Sequence, residues 1–230
     1  MTFSPRKHAT LLILACLLVP QCLCAEEAPN LNSLHPVSPG SVTQLILAHD
    51  LMQTAAAKKD ALTAVAAARL VQGVVLHENA SLQPISVPDG NKPTEALPAV
   101  EIAAKSFFEN AREWATGDDL MLEMIEREIV QGAIAPPAIA NRTRSRLSPG
   151  QSDVWRIPLY GDVGAEIGLL GDGESNLDLS VEDANGNMIC RNQDATALAL
   201  CAFVPAESGF FTATVKNAGQ AESGYSLLTN

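Results

Sequence analysis

The stretch that decides the fold of the C-terminal part is Gly171–Pro205, GDGESNLDLSVEDANGNMICRNQDATALALCAFVP. Apolar and polar residues alternate along Leu177–Glu182, which predicts a β-strand with one face in a core and the other in water. The dipeptide Asn185-Gly186 follows and predicts a two-residue hairpin. Together with two cysteines, these features indicate an all-β module built outside the reducing cytosol.

The alternation of period two extends over residues 151–230. Apolar residues alternate in an opening strand at Val154–Pro158 and in a second strand at Ala165–Leu169. Short strands are also predicted at Met188–Cys190, Leu198–Val204, Phe211–Val215 and Tyr225–Leu228. Seven or so short strands in about 80 residues predict a β-sandwich.

The N-terminal segment Met1–Ala25 has the features of a secretory signal peptide. Its apolar run, Leu11–Val19, is shorter than the about 20 residues that span a bilayer, so no membrane span is predicted. The alternative is a lipoprotein, for which three cysteines could be modified, but none follows the usual Leu-small-small pattern: Cys16, Cys22 and Cys24. The sequence therefore predicts a periplasmic or secreted protein.

Cleavage after Ala25 leaves two cysteines, Cys190 and Cys201, which are close in sequence and fall on strands that can be neighbours. In an exported chain this arrangement predicts one disulfide, worth about 3 kcal/mol. The alternative is a pair of free buried thiols, which an oxidising compartment disfavours.

The charge of the chain is acidic. Removal of the signal peptide takes away Arg6 and Lys7 and no acidic residue, so a formal net charge of -11 becomes -13. An acidic surface repels phosphate backbones, which argues against nucleic acid as a partner.

Helical spacing dominates before residue 132. Four helices are predicted: one N-capped by Ser41, one N-capped by Asp60 and running to about Leu76, one from Val100 to Trp114, and one N-capped by Asp118 with Gly132 as its C-terminal cap. Two helical hairpins of this kind predict a small bundle. The third helix carries three aromatic residues, Phe107, Phe108 and Trp114. We expect them in the core of the bundle, and the alternative is that they line a ligand groove between helices.

The helices are flanked by two segments without a clear pattern. Residues 26–40 are predicted to be an extended leader, and residues 133–150 a linker. Three arginines alternate in the linker, and we expect them to be solvated rather than ion-paired: Arg142, Arg144 and Arg146.

Residues 150–230 resemble the bacterial pre-peptidase C-terminal domain, a small jelly-roll-like β-sandwich. The matching elements are Val154–Pro158, Gly171-Asp172-Gly173, Asn176–Leu179, Asp183–Asn187, Cys190, Cys201, Phe203–Pro205, Gly209 and Tyr225–Asn230. The chain departs from that family at Glu174 and Asn176, where an Asp-rich turn is usual, and at Ser180, where an aromatic residue is usual. The resemblance implies a non-catalytic module, of a kind often attached to secreted proteases but also found in exported proteins without a peptidase.

The predicted fold is thus α+β in two domains, an all-α bundle of about four helices followed by an all-β, jelly-roll-like sandwich. The boundaries are a signal peptide at 1–25, a leader at 26–40, a helical domain at 41–132, a linker at 133–150 and the sandwich at 151–230.

One metal site is suggested. Four oxygen-bearing side chains occupy alternate positions in a glycine-containing turn: Asp172, Glu174, Asn176 and Asp178. Calcium takes six to eight oxygens from such loops. The spacing is not that of an EF-hand, and side chains of this type also cap ordinary strand connections, so calcium binding and a purely structural turn both stay open.

No catalytic motif is recognisable in the sequence, which has neither a His-Glu-x-x-His zinc motif nor a Gly-x-Ser-x-Gly elbow. We therefore expect an exported, non-enzymatic binding or adaptor protein whose helical domain binds protein partners and whose sandwich is an accessory module. The alternatives are binding of envelope polymer, glycan or peptide, through the sandwich, and an unrecognised hydrolase using His49, His77 and the Glu-rich fourth helix. Calcium is the one cofactor suggested, and the oligomeric state stays open.

Overall fold

The computed structural model describes residues 28–86, 100, 102–133 and 136–230, so the predicted signal peptide lies outside the described residues. Four helices are present: α1 (Ser41–Lys58), α2 (Ala61–Gln72), α3 (Ala104–Trp114) and α4 (Asp119–Gln131). The strands are β1 (Val74–Glu78), β2 (Ile85–Ser86), β3 (Ala138–Leu147), β4 (Ser152–Leu159), β5 (Ala165–Gly171), β6 (Leu177–Glu182), β7 (Met188–Asn192), β8 (Leu198–Phe203), β9 (Gly209–Asn217) and β10 (Ser223–Thr229).

The strands form two five-stranded sheets, ordered β1-β3-β10-β5-β8 and β2-β4-β9-β6-β7. These are called the first and the second sheet below. Pairing is nested about the β6–β7 hairpin, because β5 pairs with β8, β4 with β9 and β3 with β10, all antiparallel. This nesting is that of a long hairpin folded back on itself, and the jelly-roll-like topology stays a prediction. The predicted β-sandwich is confirmed, with seven strands in residues 151–230.

The predicted linker at 133–150 is wrong as a description of its central part. Ala138–Leu147 is β3, which pairs with β10 on one side and with β1 on the other. The second helix is also shorter than predicted: it ends at Gln72, and Val74–Glu78 forms β1 beside β3. The β-branched Val74 and Val75 fit a strand once Gly73 has ended the helix.

The three arginines of β3 are ion-paired, so the expectation that they are solvated was wrong. The guanidinium groups of Arg142 and Arg144 both contact the carboxylate of Glu78, the second at 3.2 Å, and Arg146 contacts Glu222 at 2.7 Å. The pairs form because β1 and the residues before β10 place acidic side chains beside β3.

The predicted caps of α2 and α4 are confirmed. The side chain of Asp60 accepts a hydrogen bond from the Thr63 N–H, and that of Asp118 accepts one from the Met121 N–H. Gly132, with φ +64, ends α4 as expected. Ser41 is not the N-cap of α1, however: it is the first helical residue, and its hydroxyl donates to the Ile139 carbonyl at 2.7 Å.

The N-terminus of α1 is capped instead by Glu166 of β5, whose side chain is buried. Its Oε1 accepts from the Gly40 N–H at 2.7 Å and from the Thr43 hydroxyl, while its Oε2 accepts from the Val42 N–H at 2.9 Å and the Thr43 N–H at 3.2 Å. A carboxylate at this position satisfies the free N–H groups of the first turn and interacts favourably with the helix dipole.

The helices pack against the outer face of the first sheet. Their hydrophobic core includes three buried residues of that sheet: Ala140, Leu170 and Leu228. α1 lies directly on β5, where a Cβ atom at Gly168 would come within 2.8 Å of Ile46 Cδ1. Glycine at this position therefore permits the close approach of helix and sheet. Because the two parts share a core, their division into independent domains stays a prediction.

A polar network crosses the second core, which lies between the two sheets. Tyr225 donates its hydroxyl hydrogen to Asp153 Oδ2 at 2.7 Å and accepts from the Trp155 indole N–H at 3.0 Å, and the Ser145 hydroxyl donates to the same Asp153 oxygen at 2.6 Å. Burial, reinforced by the neighbouring Asp153 charge, raises the pKa of the Tyr225 hydroxyl well above its ordinary value. The Tyr225 hydroxyl is thus protonated at neutral pH, and its hydrogen bond to Asp153 links the two sheets.

The predicted disulfide between Cys190 and Cys201 is present and joins β7 of the second sheet to β8 of the first. The hairpin before it differs from the prediction. Gly186 has φ +83 and its N–H donates to the Asp183 carbonyl, while the Asp183 N–H donates to the Asn187 carbonyl. The loop therefore has three residues, a common hairpin form with glycine in the left-handed region.

Candidate functional site

Asp172, the first of the four residues predicted to bind calcium, links its turn to β10. Both carboxylate oxygens of Asp172 accept hydrogen bonds, Oδ1 from the Ser223 hydroxyl at 2.7 Å and Oδ2 from the Gly224 N–H at 2.7 Å. The Asn176 amide lies 3.4 Å from Asp178 Oδ1, and Glu174 is exposed. Across the described ranges, no three His, Cys, Asp or Glu residues are grouped so that they could hold a metal ion. Calcium binding stays a prediction that these contacts do not support.

The two histidines of the hydrolase alternative occupy different environments. His49 is buried in α1, where Gln53 Nε2 lies 3.4 Å from its Nε2, and burial lowers its pKa despite the opposing charge of Asp50. His77 is exposed on β1, paired in register with Asn141. Phe107 and Phe108 are buried in the core of the helices, as expected.

The connections at one end of the sandwich meet the leader and form what we call the loop end: residues 160–164, 183–187 and 204–208, with residues 29–35 of the leader. The Asn32 N–H donates to the Val204 carbonyl at 2.8 Å, and the Asn32 side chain donates to Asp162 Oδ1 at 2.7 Å. The Gly161 N–H donates to the Ser208 hydroxyl at 2.9 Å. These bonds hold the loop end in a defined shape.

Asn30 is the residue through which the leader is held most extensively. Its side-chain amide donates to the Glu207 carbonyl at 3.0 Å and accepts from the Glu207 N–H at 2.8 Å, as a peptide group would in a sheet. Its backbone N–H donates to Asp183 Oδ2 at 3.0 Å. The predicted leader is therefore part of the folded sandwich, from at least Asn30 onward.

Asp183 receives four N–H donors at this point. Burial raises its pKa, but the hydrogen bonds from the Asn30 N–H, the Asn187 side chain and the N–H groups of Asn187 and Asn185 outweigh that effect, so its pKa lies below the ordinary 3.8. Four donors to one carboxylate are expected to favour the ionised form.

This arrangement predicts a pH-dependent difference between the wild type and Asp183→Asn. A folded-state pKa below the unfolded value contributes stability that is complete above about 3.8 and is lost as the pH falls through the folded value. We expect the variant to be less stable by about 1–2 kcal/mol at pH 7 and the difference to shrink below pH 3.8. Urea unfolding from pH 7 to pH 2.5 measures it, and a difference that did not change with pH would contradict the prediction.

Large apolar side chains are exposed at the loop end and on the adjoining outer face of the second sheet. Tyr160 is 77% exposed, Leu34 87%, Val163 55% and Phe210 46%. Pro158 is also exposed and lies opposite Phe210 in the β4–β9 register. We call these five residues the exposed patch. Of the nine aromatic residues within the described part of the chain, Tyr160 and Phe210 are the two that are exposed.

The register places the two aromatic residues near each other. Leu159, the last residue of β4, lies opposite Gly209, the first residue of β9, so Tyr160 directly follows β4 beside the start of β9, where Phe210 is the second residue. Arg156 lies on the same outer face, with its guanidinium carbon 4.0 Å from the centroid of the Phe210 ring. This contact is a cation–π interaction that holds the arginine in place.

The exposed patch is not among the sequence-predicted sites. The predicted strand Val154–Pro158 ends before Tyr160, and the predicted strand Phe211–Val215 begins after Phe210, so both aromatic residues lie in predicted connections. The signal available in the sequence was an aromatic residue directly before Gly161, where a strand gives way to a turn, since aromatic residues are uncommon in this chain.

Comparisons with known proteins give no family assignment: no family model matches the chain, and no curated protein matches it. Solved structures match over part of its length. The pre-peptidase C-terminal domain of a collagenase from Bacillus anthracis has 15% identity and a TM-score of 0.33, covering 39% of this chain and 87% of that one.

PliG, a periplasmic inhibitor of g-type lysozyme from Aeromonas hydrophila, has 15% identity and a TM-score of 0.30 over 40% of this chain and 84% of its own. A C-terminal CBM6 from a laminarinase of Zobellia galactanivorans has 9% identity and a TM-score of 0.26, covering 36% and 75%. At this level the resemblance noted in the sequence is supported as a likeness to β-sandwiches, and it carries no argument about function.

Proposed function

We propose that this chain is an exported, non-enzymatic binding protein that engages a protein partner through the exposed patch. The observation that carries the proposal is the exposure of Leu34, Tyr160, Val163 and Phe210 at or beside the loop end, whose segments are hydrogen-bonded to one another. Exposed apolar groups that lie together in this way mark interaction sites, and aromatic residues contribute strongly to protein interfaces.

The proposal moves the partner-binding role from the helices to the sandwich. α1 is engaged with the first sheet and α2 packs against α1 and α3, so most apolar residues of these two helices are used within the fold. The helices then serve to cover that sheet. Export is supported by the Cys190–Cys201 disulfide. Within the described ranges there is no helix with the length and apolarity needed to cross a membrane.

A protein partner is favoured over a glycan by the composition of the patch. Sugars bind to aromatic faces supplemented by polar side chains, whereas Leu34, Pro158 and Val163 offer aliphatic surface that gains free energy mainly by contact with other apolar groups. The loop end is also held in a defined shape, since Asn30 and Asn32 are hydrogen-bonded to its loops. Preorganisation lowers the entropy lost on association.

The test is capture from an envelope extract by the wild type, by the double variant Tyr160→Ser/Phe210→Ser, and by Leu62→Ser as a matched control. Leu62 is 56% exposed on α2, so its loss removes an apolar side chain outside the patch. We expect a discrete protein, identified by mass spectrometry, to be captured at least tenfold less by the double variant and equally by Leu62→Ser.

Capture that the double variant retains would contradict the proposal. If the material that the wild type captures and the double variant loses resists protease and is destroyed by periodate, the result would favour the polymer alternative. Loss in Leu120→Ser/Val130→Ser instead, two residues exposed on α4, would return the binding role to the helices. The hydrolase alternative predicts that any hydrolytic activity of the wild type is lost in His49→Ala or His77→Ala.

A further inference from the structure

Arg156 is an exposed cation fixed on the surface that adjoins the patch. Its guanidinium lies over the Phe210 ring at 4.0 Å from the centroid. A guanidinium has five N–H donors, so contact with one aromatic ring leaves donors available for another group. An arginine side chain that is already held against a ring loses less conformational entropy on binding a partner than an unrestrained arginine does.

No acidic residue of the described chain neutralises Arg156. Five of the eight arginines in the described ranges form ion pairs with glutamates: Arg69, Arg112, Arg142, Arg144 and Arg146. Among residues 28–86, 102–133 and 136–230, no carboxylate lies within 4.0 Å of the Arg156 guanidinium nitrogens. Thr212 lies opposite Arg156 on β9, and Glu182 lies opposite Thr212 on β6. Glu182 is therefore two strands from Arg156, which at the usual strand spacing is about 9–10 Å.

Exposed apolar residues flank Arg156 on both sides along β4. On one side lie Pro158 and Phe210, and on the other Ile85, which is 61% exposed and lies opposite Val154. The surface therefore alternates apolar, cationic and apolar along the strand. An internal peptide segment can match this order with a carboxylate between two apolar side chains, whereas a chain terminus would leave one side uncovered.

We infer that the partner presents to Arg156 an aspartate or glutamate side chain flanked by apolar residues in an extended segment. The inference rests on the proposed function and specifies its partner. Arginine binds carboxylates through two parallel N–H···O bonds of about 2.7–2.9 Å, and such charge-assisted bonds are about twice as strong as neutral ones. In a chain of net charge -11, this cation gives an acidic partner a point of attachment.

The test uses two peptides, Ac-Gly-Phe-Glu-Leu-Gly-NH2 and its Gln counterpart, titrated into the full chain. The arginine Nε–H signals are followed by NMR at 50 mM and 300 mM salt. We expect the Glu peptide to bind at least fivefold more tightly than the Gln peptide and to shift the Arg156 signal, with a smaller preference at high salt. Arg156→Gln should abolish the preference. Arg191→Gln, an exposed arginine on β7 of the same sheet, should retain it.

Equal affinity of the wild type for the two peptides would overturn the inference. If Tyr160→Ser then weakened both equally, the patch would still be a binding surface, so the proposed function would survive. Absence of Glu-peptide binding at millimolar concentration would also overturn it. Tighter binding of Ac-Gly-Phe-Leu with a free C-terminal carboxylate would overturn the assignment of an internal acidic residue.

Discussion

Replacing Glu166 with alanine is expected to lower the free energy of unfolding by about 3 kcal/mol. Part of this is the loss of a helix N-cap, about 1 kcal/mol. The rest comes from backbone N–H groups at Gly40, Val42 and Thr43 that lose their acceptor in a buried place. Chemical denaturation of the variant and the wild type measures the difference.

Two further variants separate the cap from a general effect of charge. Glu166→Gln retains the size of the side chain but turns an N–H donor toward the helix, so about half of the loss is expected. Glu113→Ala removes an exposed glutamate from α3 and is expected to change stability by less than about 0.5 kcal/mol. A Glu166→Ala variant as stable as Glu113→Ala would refute the capping role.

The second large effect is expected for Asp153→Ala, also about 3 kcal/mol. The substitution leaves the buried hydroxyl of Tyr225 and the partly buried hydroxyl of Ser145 without this acceptor, and an unsatisfied buried group costs about 1–3 kcal/mol. It also leaves unfilled space between the sheets. Thermal and urea unfolding, analysed together, give the change in stability.

Tyr225→Phe is the matched variant for this network. It removes one hydroxyl and leaves the ring in its edge-to-face contact with Trp155, whose centroid is 6.4 Å away. A smaller loss of about 1–2 kcal/mol is expected. In the double variant the two losses should sum to more than the measured total, because the residues share a hydrogen bond. Full additivity would show that they act independently.

The sandwich was predictable because its strands are half-buried and carry the alternation that such burial requires. Leu177–Glu182 alternates in sequence and in burial alike. β3 was not predicted because its sequence lacks the alternation of apolar and polar residues that burial of one face produces. Its outward positions hold arginines that are satisfied by Glu78 and Glu222, residues distant in sequence, so the local pattern resembled a polar connection.

The cap of α1 and the exposed patch depend on contacts between remote parts of the chain. Glu166 follows Gly40 by 126 residues, and nothing in the pattern around Ser41 indicates a capping group from β5. The leader that carries Leu34 meets the loop that carries Val163 because Asn32 binds Asp162, 130 residues away. The disulfide, in contrast, was predictable, since its cysteines are 11 positions apart and fall on consecutive predicted strands.

The nested pairing of the strands also has a consequence for the time course of folding. The outermost pair joins β3 to β10, so the first sheet cannot be completed until the last residues of the chain are available. Contacts of long sequence separation slow folding, because the loop between them must close before they contribute. For a chain predicted to be exported, slow closure prolongs the unfolded state that a translocation channel can accept, and a chain truncated before Ser223 should not reach the native sheet at all.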